Sequence, residues 1–336
     1  MTLFALPLLI LLMVSTIILL AFKRWKLASA LIVVVLMLNW YWQICPMHFN
    51  SDEEPSDNTF RVVTYNIYPQ VDSTQYDQWQ KDMLEEIKSL HPDILCLQES
   101  KMEQMPWLKE ELSKLFSFNK DTDKERRYIK GIMYSRFPIA NIARYKSVIE
   151  LDTTDIDSSF DRSIQIHKLK QPFYSADVLL PDGDTITVFS CHLQSNGYST
   201  IRRSMKESDS WISGLERYQA AIKSAEKIRI WEARNIRHAI DSIGNSHPII
   251  IAGDLNDFNQ SECLRTIQSN THNDAWWEGG CGLGFTFSGF GLHLRLDHIL
   301  YNCKLCLLNV EVGKSELSDH RPLIADIAIN KSKVIE

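Results

Sequence analysis

Short apolar runs of strand length recur along the chain from about residue 60 onward, separated by polar turns and by segments with helical spacing. Strands are predicted at 61–67, 94–98, 131–134, 164–169, 175–180, 185–192, 249–252, 285–288, 295–301, 305–312 and 323–329. Apolar residues at helical intervals predict helices over 79–90, 107–116 and 199–243. Strands dominate, so we expect an α+β class with two packed, mostly antiparallel sheets flanked by helices.

The N-terminal segment is different, because it holds two long apolar runs at 2–22 and 27–45. A membrane-spanning helix needs roughly 20 apolar residues. The connecting KRWK is basic, which favours the cytoplasm for a short loop. The pattern predicts a transmembrane hairpin with both ends outside the cytoplasm. A cleaved signal peptide and a single-span signal anchor are the alternatives, although no basic residue precedes the first run and no clean A-x-A site follows it.

Composition divides the chain into three parts. We expect a membrane anchor of two transmembrane helices over 1–46, a charged linker over 47–58 and one folded domain over 59–336. Beyond residue 45 the chain carries 33 Lys and Arg against 42 Asp and Glu. This acidity argues against a protein that coats nucleic acid through a basic surface. An extracytoplasmic location would permit disulfides among the seven cysteines. Cys96 and Cys191, however, lie in apolar runs typical of buried free thiols.

Polar side chains stand at the ends of several predicted strands, and they are the candidate chemical groups. They are Asn66, Glu99, His192, Asp254, Asn256, Asp297, Asp319 and His320. Taken singly, such residues are more often turn, cap or structural residues. Taken together, carboxylates, amides and imidazoles without a catalytic Ser or Cys motif are what metal-assisted hydrolysis of phosphate esters requires.

Six sequence pieces carry a family resemblance. VVTYN, LQES, SCHLQSN, GDLND, RLDHIL and SDHRPL occur in this order between residues 60 and 328. In these pieces the chain resembles the endonuclease/exonuclease/phosphatase superfamily, which implies the DNase I-like four-layer sandwich for 59–336. LQSN, DAWW and the glycine-rich run before Thr286 also resemble a membrane-anchored bacterial branch.

The resemblance implies a metal site around Glu99, the principal carboxylate ligand. Asn66 would lie beside it as a neutral oxygen ligand or phosphate contact, and Asp319 would add to the metal shell. Hard oxygen donors of this kind favour Mg²⁺ or Mn²⁺ over Zn²⁺.

The resemblance also implies the catalytic roles. Asp254 would orient or deprotonate the attacking water, and Asn256 would hold the phosphate. His320 would contact the phosphoryl oxygen while Asp297 fixes the tautomer of its imidazole. His192 would act as general acid toward the leaving oxygen or as a phosphate clamp.

Two weaker candidates for substrate binding are Arg162 and Tyr128, and an ordinary surface ion pair with Asp161 is the alternative for Arg162. The glycine run 279–284 with its flanking aromatic residues has two interpretations as well. It could pack in the core as a turn, or it could form a rim loop that touches substrate or membrane.

These observations predict a divalent-metal-dependent hydrolase of phosphate esters, a phosphodiesterase or endonuclease that uses metal-activated water without a covalent intermediate. The alternative is a phosphodiesterase for lipid headgroups, of the sphingomyelinase or phosphoinositide type. A scaffold protein that has lost catalysis should lack Glu99, Asp254 or His320, and all three are present. Expected partners are a phosphodiester substrate and a lipid bilayer, with no protein partner. The expected location is the bacterial inner membrane, multi-pass, with a periplasmic catalytic domain.

Overall fold

The structure is a computed structural model that describes residues 5–42, 44–48, 58–100, 105–119, 131–145, 147–154, 156, 173–196, 210–244, 247–289 and 291–330. It begins with two helices, α1 (Ala5–Ala21) and α2 (Trp25–Trp42), which pack against each other.

No helix within these ranges is long and apolar enough to cross a membrane. The transmembrane hairpin predicted over 1–46 is thus not found in the described part of the chain, where α1 and α2 comprise 17 and 18 residues.

The remaining chain forms two six-stranded sheets and a short ribbon. The first sheet has the order β13 (Leu305–Val312), β14 (Leu323–Ile329), β1 (Thr59–Asn66), β2 (Ile94–Gln98), β4 (Gly131–Ser135), β3 (Phe118–Asn119). The second has the order β5 (Ile139–Ala143), β6 (Phe173–Leu179), β7 (Thr185–His192), β8 (Ile249–Asp254), β12 (Asp297–Asn302), β9 (His272–Asp274). Strands β10 (Phe287–Gly289) and β11 (Leu292–Leu294) form the ribbon.

Four helices cover the outer faces of the sheets in the described part of the chain. They are α3 (Tyr76–Ser89), which a 3₁₀ turn at Ser73–Gln75 precedes, α4 (Pro106–Leu115), α5 (Trp211–Ile243) and α6 (Glu262–Gln268). The short helix α7 (Ala275–Gly279) instead contributes Ala275 and Trp276 to the core between the sheets. Apolar side chains of α3 and α4 pack on the first sheet, and those of α5 and α6 pack on the second. The sheets meet in a central core that includes Val62, Ile94, Val188, Ile250 and Ile299. The predicted α+β class with two packed sheets is confirmed.

Burial on both faces explains the central strands. All five residues of β2 and all six of β8 are buried. Such strands show continuous apolar runs instead of alternation, because each face meets a covered layer. Most predicted strands and helices are present with shifts of a few residues. The strand predicted at 164–169 lies outside the described residues, as does the first part of the helix predicted over 199–243.

Two pairs of parallel strands determine where the candidate site residues lie. Strands β1 and β2 pair in parallel, and so do β7 and β8, whereas the other strand pairs are antiparallel. Helices α3 and α5 lie in the crossovers that parallel pairing requires. The carboxyl ends of β1, β2, β7 and β8 therefore carry their terminal residues toward common edges.

The glycine-rich loop packs against the Trp276 side chain. The indole of Trp276 donates a hydrogen bond to the Gly282 carbonyl at 3.2 Å. A Cβ on Gly280 or Gly284 would approach the Trp276 ring to within 2.7 Å. The chain leaving α2 also contacts this loop, since Gly282 N donates to Pro46 O at 2.9 Å. Gly280 is buried and Cys281 is exposed, so the loop is a turn that packs on Trp276 and keeps an accessible side. Its contact with substrate or membrane stays a prediction.

All seven cysteines are free thiols. Cys96 and Cys191 are fully buried, as their apolar runs predicted. Burial raises the pKa of the Cys96 thiol to about 12, which keeps it protonated and unreactive. The predicted limits of the anchor, linker and folded domain stay predictions.

Gly253 offers a test of the β7–β8 pairing. A Cβ at this position would meet the Cys191 carbonyl oxygen at 2.0 Å. We expect Gly253→Ala to lower the free energy of unfolding by about 1–3 kcal/mol or more, because the strands must separate. Thermal and denaturant unfolding measure it. Gly183→Asn is the control, since a Cβ there meets nothing within 4 Å and Asn is among the side chains that best tolerate the positive φ of 91° at this position. Equal stability of the two variants would contradict the close approach.

Candidate active site

Four strand ends bring the candidate residues together. Asn66 ends β1, Glu99 follows β2, His192 ends β7 and Asp254 ends β8. In the second sheet, Asp254 is in register with His192 of β7 on one side and with Asp297 of β12 on the other. The pairing of β8 thus places an acid at the centre of the site, between a histidine and a second acid.

The Asn66 side chain links the two sheets. Its Nδ2 donates to Glu99 Oε1 at 3.2 Å and to Asp254 Oδ2 at 3.0 Å. Its Oδ1 accepts from the Tyr68 backbone N–H at 3.2 Å. In this orientation the amide nitrogen, not the oxygen, faces the carboxylates. Asn66 therefore acts here as a donor that holds two acids close together, and the role expected for it as an oxygen ligand or phosphate contact stays a prediction.

His192 faces the same two carboxylates. Its Nε2 lies 3.6 Å from Glu99 Oε1 and 3.8 Å from Asp254 Oδ2. Glu99 is the more exposed of the two acids, with 35% of its side chain accessible, whereas Asp254 is buried. The site thus has an open side at Glu99 and a closed side at Asp254.

His320 and Asp297 form a buried pair at the closed side. His320 Nδ1 donates to Asp297 Oδ2 at 2.7 Å, and His320 Nε2 lies 3.7 Å from Asp254 Oδ2. Asp297 therefore orients the imidazole with Nε2 directed toward Asp254. The Asp297 backbone N–H is fixed in turn by the Thr286 hydroxyl at 3.1 Å, and the Phe287 ring packs 5.0 Å from the imidazole.

The charges of this cluster shift its pKa values. Burial alone would lower the pKa of His320, but the negative charges of Asp297 and Asp254 outweigh it and raise the pKa to about 10. Burial raises the pKa of Asp254 above its usual range, and the His320 charge opposes that rise. Near neutral pH the site therefore combines an imidazolium with a carboxylate that accepts protons readily.

Asn256 and Glu99 both adopt left-handed backbone conformations, with φ 52° at each. Asn256 N–H donates to Asp254 Oδ1 at 2.9 Å, and its Nδ2 donates to the Leu193 carbonyl at 3.2 Å. Strained backbone that the surrounding hydrogen bonds hold in place is typical of functional sites. Asn256 thus joins the loop after β8 to the loop after β7.

Asp319 lies on the His320 side of the site. Its Oδ1 accepts from the Ser318 hydroxyl at 3.4 Å, and that hydroxyl also donates to the Asn66 carbonyl at 2.8 Å. Burial raises the pKa of Asp319, while His320 opposes that change. Arg162 and Tyr128, the two candidate substrate contacts, lie outside the described residues.

Sequence reasoning missed two buried ion-pair groups behind the site. Arg229 of α5 bonds Asp257 Oδ2 at 3.2 Å. Arg295 bonds Asp274 at 2.9 Å, and His298 Nδ1 lies 2.7 Å from the same carboxylate. Asp257 and His298 are each adjacent in sequence to a predicted site residue. This adjacency was the sequence signal that could have identified them. Their partners come from distant segments, so the chain pattern could not reveal them.

Two donor sets fit a divalent cation. The first is Glu99 with Asn66, whose amide would have to turn to present its oxygen. The second is Asp254, Asp297 and His320, whose ligand atoms lie within 4.8 Å of one another. In the second set the His320 cation already offsets the two acids, and it would repel a metal ion. Glu99 lies on the open side of the site with the His192 imidazole 3.6 Å away. A carboxylate with an amide oxygen is the hard donor set that Mg²⁺ or Mn²⁺ prefers, so the first set fits better.

Comparison with known proteins agrees with this geometry. The profile of the Endonuclease/Exonuclease/phosphatase family matches residues 63–320. The chain belongs to this family. Its chemistry is thus phosphoester hydrolysis, which in this family generally depends on a divalent metal. No curated protein sequence matches the chain significantly.

Several solved structures share the DNase I-like fold. The endonuclease/exonuclease/phosphatase from Bacteroides vulgatus is 18% identical, with a TM-score of 0.56 over 81% of this chain and 99% of that one. The human Nocturnin catalytic domain with bound sulfate is 19% identical, with a TM-score of 0.53 over 81% and 94%. D. rerio TDP2 complexed with single strand DNA product is 14% identical, with a TM-score of 0.52 over 81% and 99%. At these identities the likeness shows the fold alone.

The pKa of His320 provides a test of the buried pair in this family member. We expect Asp297→Asn to lower it by about 1–3 pH units, because an opposing charge in contact is lost while burial remains. Ring NMR titration of the protein in EDTA measures it. Asp326→Asn is the control, since Asp326 pairs with Arg61 at the other end of β1. An unchanged His320 titration in Asp297→Asn would contradict the assignment.

Proposed function

We propose that this protein is a Mg²⁺- or Mn²⁺-dependent phosphodiesterase of the endonuclease type. The observation that carries the proposal is the convergence on Asp254. One oxygen of this buried carboxylate lies 3.0 Å from the Asn66 amide, 3.8 Å from His192 Nε2 and 3.7 Å from His320 Nε2. The carboxylate of Asp254, which can accept a proton, thus lies beside the His320 imidazolium and the His192 imidazole. We infer that a phosphate binds between these groups.

In the proposed reaction, Asp254 accepts the proton of a water molecule that attacks phosphorus. Its raised pKa suits proton transfer near neutral pH. His320, protonated and oriented by Asp297, donates to a phosphoryl oxygen and offsets the charge that develops there. His192 donates a proton to the leaving oxygen or binds the phosphate. A divalent cation, when bound, supplies further positive charge to the phosphate.

Water is the proposed nucleophile, because the hydrogen bonds to Asp254, the proposed general base, come from the Asn66 amide and the Asn256 backbone N–H and not from a Ser, Thr or Cys side chain. Cys191, which precedes His192, is buried, and burial raises the pKa of its thiol far above the ordinary value. Hydrolysis therefore needs no covalent enzyme intermediate.

Nucleic acid is the first substrate class. The solved structure of D. rerio TDP2, which shares the fold, contains a single strand DNA product. The net charge of −6 does not favour a long nucleic-acid contact surface. A divalent cation and His320 would supply positive charge at the scissile phosphate itself, so the acidity is compatible with local binding.

A lipid headgroup is the second substrate class, and one observation favours it. Helices α1 and α2 expose large apolar side chains, among them Leu11 at 62%, Ile17 at 64%, Phe22 at 74% and Met37 at 66%. Exposed apolar surface of this extent marks an interaction site. Contact of these helices with a lipid surface stays a prediction, and so does the periplasmic location.

The first test assays the full-length protein with Mg²⁺ on plasmid DNA, RNA, and sphingomyelin and phosphoinositide vesicles. We expect nucleic acid to be cleaved, and Asp254→Ala and His320→Ala each to lower kcat by about 10²–10⁴-fold because they remove acid–base and charge-stabilising groups. Asp182→Ala, in an exposed turn, is the control. Headgroup release with nucleic acid intact would select the lipid class. Full turnover by folded Asp254→Ala would overturn the mechanism.

The second test measures metal binding without turnover. We expect Glu99→Gln to weaken Mn²⁺ binding in calorimetry by at least about tenfold, because even partners behind a metal ligand contribute that much. His320→Gln should bind Mn²⁺ as well as the parent or better, since a cation is lost. The reverse ranking would move the metal to the set of Asp254, Asp297 and His320. Turnover that survives exhaustive EDTA treatment would contradict metal dependence altogether.

A further inference from the structure

A buried arginine outside the catalytic cluster contacts both loops that carry catalytic residues in the second sheet. Arg229 lies near the middle of α5 and is only 3% exposed. The loop after β7 follows His192 and includes residues 193–196. The loop after β8 follows Asp254 and includes residues 255–257. Arg229 reaches both of these loops from the outer helical layer.

Three hydrogen bonds define the contact. Arg229 Nε donates to Asp257 Oδ2 at 3.2 Å in the loop after β8. Arg229 Nη1 donates to the Gln194 carbonyl at 3.0 Å and to Asn196 Oδ1 at 2.8 Å in the loop after β7. One planar guanidinium thus joins two segments that also meet at Leu193, whose N–H donates to the Asp254 carbonyl and whose carbonyl accepts from Asn256 Nδ2.

Neighbouring groups hold the same loops. Glu232, one turn further along α5, accepts from Gln194 N–H at 2.8 Å. His298 Nε2 lies 3.0 Å from the Asp257 carbonyl oxygen. The loop after β8 is therefore fixed from α5 on one side and from β12 on the other. Arg229 connects it to residues 194 and 196 of the loop after β7, in addition to the hydrogen bond from Asn256 to the Leu193 carbonyl.

We propose that Arg229 is a positioning residue, which sets the separation between His192 and Asp254 through the two loops. The proposal rests on the phosphodiesterase function proposed above. A guanidinium presents its donors in a fixed planar fork, so it fixes both direction and distance of its partners. A lysine keeps the charge but has a single flexible donor group, which cannot reproduce three bonds to two loops.

The alternative is a purely structural role, in which Arg229 only neutralises the buried Asp257 carboxylate. The two roles differ in what removal of both charges does. Arg229→Met with Asp257→Asn removes both charges of the Arg229–Asp257 pair, while the buried Glu232 keeps its hydrogen bond from Gln194 N–H. A structural role therefore predicts near-parent stability and normal kcat. A positioning role predicts near-parent stability but low kcat, because Gln194 and Asn196 have lost the Arg229 donor.

Arg237 supplies a matched control on the same helix. It is 8% exposed and pairs with Asp241. It also bonds the Ile267 carbonyl at 3.2 Å and the Thr271 hydroxyl at 3.1 Å, both away from the catalytic loops. Arg237→Lys therefore changes a buried arginine of α5 without changing the loops after β7 and β8.

The experiment compares Arg229→Lys, the double variant and Arg237→Lys by kcat, KM and thermal unfolding of the full-length protein. The substrate is the one that the parent hydrolyses and Asp254→Ala does not. We expect Arg229→Lys and the double variant to lose kcat by about 10–100-fold with KM nearly unchanged, because small misplacements of catalytic groups cost about that much. Arg237→Lys should keep the parent kcat.

Two results would overturn the proposal. One is a double variant with kcat within threefold of the parent, which would leave only charge compensation for Arg229. The other is an equal loss of kcat in Arg237→Lys, which would attribute the effect to the helix as a whole. Failure of the phosphodiesterase proposal itself would appear separately, as turnover that Asp254→Ala does not reduce. Comparison at equal folded fraction, from the unfolding curves, separates a loss of kcat from a loss of fold.

Discussion

The site depends on the position of β8 in the second sheet. This strand pairs with a parallel strand on one side and with an antiparallel strand on the other. It puts His192, Asp254 and Asp297 side by side in one sheet. Neighbouring strands lie about 4.8 Å apart, so their terminal side chains meet without help from flexible loops. The first sheet then adds Asn66 and Glu99 across the central core. A mixed sheet is thus the means by which residues from distant segments reach one point.

Placing several acids together carries an electrostatic cost, and the structure offsets it in two ways. His320 stands as a cation between Asp297 and Asp254, at 2.7 Å and 3.7 Å from their oxygens. Asn66 donates to both Asp254 and Glu99 from the opposite side. Burial makes these interactions stronger than in water, and it also raises the pKa of Asp254. The same arrangement that stabilises the folded site therefore prepares it for proton transfer.

A second layer of buried charge stands behind this cluster. Arg229 with Asp257 and Arg295 with Asp274 hold the backbone segments from which the catalytic side chains project. Such pairs contribute little net stability, because desolvation offsets most of their attraction. Their geometric effect is larger, since each guanidinium fixes several partners at once. Helix α5 thus contacts the loops that carry catalytic residues through Arg229.

The sequence by itself determined the layered α+β class and the set of strand-end side chains. Both are local properties: a strand buried on both faces needs a continuous apolar run, and a polar residue at its end follows within one or two positions. The six sequence pieces, in their order, were sufficient to indicate the family. Asp254, His320 and Glu99 could therefore be identified as candidate site residues from the sequence alone.

Only the tertiary structure decided which groups touch. Asn66 meets Asp254 across 188 residues of chain, and its amide orientation follows from partners that no local pattern encodes. In the sequence, Arg229 is one of several basic residues of a long helix, and only its loop partners in the structure distinguish it. The apolar N-terminal runs form helices α1 and α2, which pack against each other, and their hydrophobicity alone does not determine that pairing. Non-local contacts, which the periodicity of a sequence does not contain, account for each of these differences.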